Sequence, residues 1–200
     1  MIIENGKLKI YQLLATLDKK TRNVTMVSEV IFLKKYILPI LLAVWPYLFF
    51  LFGLFIDPEA SAEAFVLIYC IATVLVYLAN IVFAFRNKDL QIQDLARWDL
   101  IIKACHIPFY IFVMLVGCLL ALAIVAPAVL FMAVMVIPVL VVVDVLLMLT
   151  SSCYGFSAIR RARAEGLIPD SFAKVHTLLH IFFVADVISA FLLRRKLQKV

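Results

Sequence analysis

From Ile107 to Thr150 the chain runs for 44 residues with one charged side chain, Asp144. A single α-helix of that length would reach roughly 66 Å at 1.5 Å per residue, about twice the hydrocarbon thickness of a bilayer. The stretch therefore predicts two membrane-crossing helices, with the turn near Ala126-Pro127-Ala128. Composition adds the same constraint for the whole chain. Of 200 residues, 66% are hydrophobic and only 16% charged, and mean hydropathy is +1.10. A soluble globule of this size has too little polar surface to cover so much apolar side chain. The apolar content also excludes a disordered chain. The expected fold is all-α: a polytopic membrane helical bundle of four to five transmembrane helices with amphipathic interfacial helices.

Three parts follow from the charge pattern. Residues 1–35 form a basic arm with short amphipathic helices, residues 36–193 the transmembrane domain, and residues 194–200 a basic tail. Within the domain the apolar runs predict spans over 36–56, 64–85, 106–125, 128–150 and 171–193. Between the second and third lies an interfacial helix over 88–105, with Leu95, Trp98, Ile101, Ile102 and Cys105 on one face and Trp98 as anchor. Asp99 and Lys103, four apart, fall on its other side, which reads as a solvated face. Pro39 and Pro46 should kink the first span, and Gly166 followed by Pro169 marks a helix end.

Lysines and arginines sit beside the spans. Seven lie in the arm, four between 86 and 103, and four between 160 and 174, while the turns at 57–63 and 126–128 hold none. This is a positive-inside pattern with a cytoplasmic N-terminus. It leaves no basic face for nucleic acid, and the lipid bilayer is the expected partner, with another membrane protein as a second. Nothing in the sequence resembles an organelle-targeting segment, which points to a cytoplasmic membrane of bacterial type. The last four basic residues create a conflict. If 171–193 crosses, they end up outside. If it is re-entrant or interfacial, they stay inside. Its length favours crossing, while Lys174, His176, His180 and Asp186 oppose it.

Ionisable groups within spans are functional candidates, because lipid-facing charge is costly. Asp144 lies about 9 Å from the end of its span, with His180 and Asn80 at similar depth from the same side. These three predict one polar layer, which serves either as interhelical hydrogen bonds or as a proton or ion site. Asp186 lies deeper, with no partner evident. His176 and His180 share the four-residue spacing of two metal ligands, with Asp144 or His106 as the third. The HExxH glutamate is missing, so no metal is expected and the pair reads as incidental. The four cysteines have no paired spacing and read as buried and structural. There is no phosphate loop, no GxSxG and no paired acidic motif, so the reading leans against an enzyme and calls for no cofactor. Three functions remain. The first is a non-enzymatic accessory or complex subunit. The second is a small proton- or cation-coupled transporter using the Asp/His layer. The third is a lipid-modifying enzyme using His106, Asp144 and His176.

Overall fold

The computed structural model describes residues 35–55, 62–122, 127–180 and 182–198. The basic arm up to residue 34, the acidic turn at 57–61 and the last two tail residues lie outside the described residues. The described chain is helical: α1 (Lys35–Gly53), α2 (Ala62–Arg86), α3 (Ile92–Leu122), α4 (Pro127–Ala164), α5 (Asp170–Leu179) and α6 (Phe183–Leu197). From Leu38 onward it makes one compact unit, separate from the unit ending at Ile37. Four of the helices, α1 to α4, are long and apolar enough to span a membrane.

Three boundaries differ from those expected; the span expected to end at residue 150 continues as α4 to Ala164. The interfacial helix over 88–105 and the span from 106 are a single helix, α3, with Pro108 inside it. Residues 171–193, expected as one helix, are two. The break has a physical cause in the side chains on either side of it. In a continuous helix His180 and Asp186 would lie about 9 Å apart along the axis and point in different directions. With the chain extended at Phe182 (φ −104°, ψ 120°), His180 Nδ1 reaches to 2.5 Å from Asp186 Oδ1.

α5 and α6 form a hairpin whose two ends lie at the same end of the bundle. α5 runs back along α4: Arg163 pairs with Asp170 at 2.7 Å, and Ser152 reaches the His180 carbonyl at 3.5 Å. α6 then runs back along α3, from Asp186 beside Lys103 to the Leu197 carbonyl, which accepts from Gln93 Nε2 at 3.3 Å. At about 15 and 22 Å, each hairpin helix is shorter than a bilayer core. The turn into α5 is made by Gly166, at φ 72°, a left-handed position that favours glycine. The amide of Leu167 bonds back to the Ala162 carbonyl at 2.9 Å.

The densest packing is at this end. Small side chains on α4 (Ala158, Ala162) allow close approach, and Leu95, Ile102, Tyr154 and Leu193 fill the core between them. Trp98 is half-buried against it. Arg161 closes the carboxyl end of α2. Its guanidinium donates to the carbonyls of Leu90 (3.0 Å) and Asn87 (2.7 Å), with Ala84 and Phe85 at 3.4 and 3.5 Å. Ala84 and Phe85 belong to the last turn of α2, whose carbonyls a helix end leaves without partners, and Asn87 and Leu90 to the turn that follows it. Of the cysteines only Cys153 is buried; Cys70, Cys105 and Cys118 are exposed on the outside of the bundle.

Pro46 explains a further contact. Pro46 has no amide hydrogen to give the Leu42 carbonyl one turn earlier. His106 Nε2, from α3, takes that place at 3.1 Å. Near Pro108, the Tyr47 hydroxyl donates to the Cys105 carbonyl at 2.5 Å. His106→Ala should therefore destabilise the protein by about 2 kcal/mol, the cost of a buried acceptor left unmet. In a Pro46→Ala background, where the helix amide returns, most of that loss should disappear. A double-mutant cycle of detergent unfolding midpoints measures it; equal losses in both backgrounds would contradict the account.

Candidate functional site

Four ionisable side chains from α3 and the α5–α6 hairpin meet out of solvent. Asp99 and Lys103, expected on a solvated face, are both buried because the hairpin covers that side of α3. Lys103 Nζ lies 2.7 Å from Asp99 Oδ1 and 2.5 Å from Asp186 Oδ1. It is also 2.8 Å from His180 Nδ1. His180 Nδ1 thus lies between an ammonium and a carboxylate, and the ring tautomer sets its role: with a proton Nδ1 donates to Asp186, and without one it accepts from Lys103. Ser152 on α4 donates to the Asp186 carboxylate at 3.2 and 3.3 Å.

The other side of the imidazole is less well satisfied. His180 Nε2 lies 3.9 Å from Asp99 Oδ2, and neither atom has a hydrogen-bond partner among the described residues. The cluster thus gathers one ammonium, one imidazole and two carboxylates out of solvent.

Backbone, not side chain, forms the wall here. A Cβ on Gly155 of α4 would lie 2.7 Å from His180 Nε2 and 2.8 Å from Asp99 Oδ2. Both neighbours are buried and tethered, so neither can move aside cheaply. Gly155→Ala should lower the unfolding midpoint in detergent, although alanine is the better helix former. Gly117→Ala, where nothing lies within 4 Å, should be neutral or stabilising. The opposite ranking would mean that the cluster does not need this close approach.

The residues singled out by sequence fall in different places. His180 and Asp186 meet. Asn80 bridges α2 and α4 outside the charge cluster: Tyr154 donates to its Oδ1 at 2.7 Å, and its amide donates to the Val76 carbonyl at 2.9 Å. Asp144 stands eight residues, about 12 Å along α4, from Ser152 and lines a separate groove. His106 serves α1, as described. His176 stacks on Phe172 with ring centroids 3.9 Å apart and shares a 2.7 Å hydrogen bond with Ser189. His106, Asp144 and His176 therefore do not share a site. Among the described residues no three His, Cys, Asp or Glu side chains gather with metal-binding geometry. Asp99, Lys103, Ser152 and Gly155 were missed by sequence reasoning. The four-residue spacing of Asp99 and Lys103 was the available signal.

Outside the four spans, two pKa directions have clear causes. Arg163 holds the exposed Asp170 carboxyl below its usual range through their hydrogen bonds. Burial, with His180 nearby, pushes His176 below its ordinary 6.5. Folding therefore favours neutral His176, and the unfolded chain binds its proton first as pH falls. The contribution is a loss of stability that grows below about pH 6.5 and levels off below the folded pKa. His176→Asn, which keeps an acceptor for Ser189, should flatten the fall in melting temperature between pH 7.5 and 5. An unchanged pH profile would assign that fall to other groups.

The long apolar helices, joined at one end by a buried charge cluster, define a helical membrane protein. The model of a family described as "Family of unknown function (DUF6652)" matches residues 30–199, and the chain belongs to that family. No curated protein and no solved structure matches it.

Proposed function

We propose that this protein is a multi-pass, non-enzymatic subunit of a larger membrane assembly. The observation that carries the reading is how little the chain covers its own spans. In the most apolar stretch of α2 only 6% of residues are buried, and in that of α4 only 11%. Membrane helices associate through close van der Waals packing and interhelical hydrogen bonds. Here one face of α2 meets α1 through the Trp45–Thr73 and Tyr69–Trp45 hydrogen bonds, the charged end is packed, and the rest of the outer lengths of α2 and α4 present Leu67, Ile71, Leu75, Met135 and Val142 outward. A partner's helices would supply the missing packing. Arg86, Arg97, Arg160 and Arg194 all belong to the charged end, so the positive-inside rule sets that end in the cytoplasm. The hairpin returns the basic tail to that side, and a bacterial-type cytoplasmic membrane remains the location we favour.

A second reading, a proton- or cation-coupled transporter, draws on the buried charge cluster. It lacks a polar route through the bundle beyond Asp144. Purification in nanodiscs from native membranes, with mass spectrometry of what remains bound, separates the two. The subunit reading expects a second membrane protein at fixed stoichiometry. A lone chain that moves protons in liposomes, and stops when Asp186 is replaced by Asn, would overturn it.

A further inference from the structure

We propose that the groove beside Asp144 is a binding site for a lipophilic monocation: an amine or quaternary onium group carrying an apolar body. The groove lies between α3, α4 and α6 and encloses about 630 Å³, within the range of small-molecule sites. Tyr110, Met114, Leu140, Val184 and Ile188 are among its walls, and Asp144 is its one charged residue. Met114, Val184 and Ile188 are more than half exposed, so the groove opens sideways to the lipid face.

Charge complementarity selects the occupant. Asp144 Oδ1 is buried and has no hydrogen-bond partner among the described residues. The buried lysine of the fold, Lys103, is already held between Asp99 and Asp186. A carboxylate in an apolar wall without a cation or donor is a costly arrangement. A bound cation relieves that cost, and the hydrocarbon walls accept the rest of the molecule. A neutral lipid would fill the walls and leave the carboxylate unmet; a hydrophilic cation would do the reverse. The site belongs to the chain alone, so its failure would leave the subunit reading untouched.

The test uses the full chain in nanodiscs and radiolabelled tetraphenylphosphonium, with triphenylphosphine oxide as the uncharged competitor. Saturable binding of one cation per chain is expected, weakened at least tenfold by Asp144→Asn. Met114→Trp, which narrows the groove without touching the charge, should weaken it as well. The neutral competitor should displace little. The proposal is overturned by non-saturable uptake, by equal affinity in Asp144→Asn, or by equal competition from the oxide, which would indicate apolar partition only. If Asp144→Asn does not fold, Met114→Trp decides: unchanged affinity in that variant also overturns the site.

Discussion

One ammonium group, Lys103 Nζ, organises the charged end of this bundle. It joins Asp99 on its own helix to Asp186 on the hairpin, with His180 alongside. Burying charges is expensive, and the mutual attraction of a buried pair does little more than offset its desolvation. The cluster is therefore poor evidence for extra stability. It is better evidence for specificity, because removing Lys103 would leave two carboxylates out of water without their ammonium. The register in which the hairpin docks is the one that brings Asp186 to Lys103. The close approach of α4 at Gly155 and the hydroxyl of Ser152 follow from that register, since both face the same carboxylates and imidazole.

The hairpin bears on the conflict in the charge pattern, because neither of its helices is long enough to cross a bilayer core. A fifth crossing would have carried the basic tail to the far side, and burying Asp186 alone at helix depth would have been costly. Breaking the helix at residues 180–182 answers both difficulties at once. Asp186 gains an ammonium, an imidazole and a hydroxyl, and Arg194 to Lys196 come back to the end that holds Arg86 and Arg161. The prolines act on a smaller scale. Pro46 orphans a carbonyl that a histidine two helices further along the chain then serves. A residue that looks like a metal ligand in the sequence is thus engaged in repairing a helix.

The parts of this fold that depend on single-helix properties were legible in the sequence. Four helices long and apolar enough to span a membrane, the end of α2 at Arg86 and the stop at Gly166 all follow from local hydropathy, charge and glycine geometry. What was not legible depends on which face meets which. Asp99 and Lys103 look identical whether their face meets water or a hairpin, and only the return of α6 along α3 decides it. His180 and Asp186, six apart, pair only because the helix breaks between them, and no propensity near Phe182 announces the break. Asn80 and Asp144 were grouped by depth, but depth along an axis says nothing of azimuth. Tyr154 claims the first, and the second faces a different groove.

Two carboxylates in this bundle are treated in opposite ways. Asp186 is surrounded by donors, and Asp144 presents an oxygen without one to an apolar groove. A chain selected only for packing would gain by replacing Asp144 with an aliphatic residue, since every neighbour in its groove other than Tyr110 is apolar. Asp186 could not be replaced so easily, because Lys103 and His180 would then lose their common acceptor. The difference assigns the two groups separate work: Asp186 fixes the fold at the charged end, while Asp144 carries an interaction that the chain by itself does not complete.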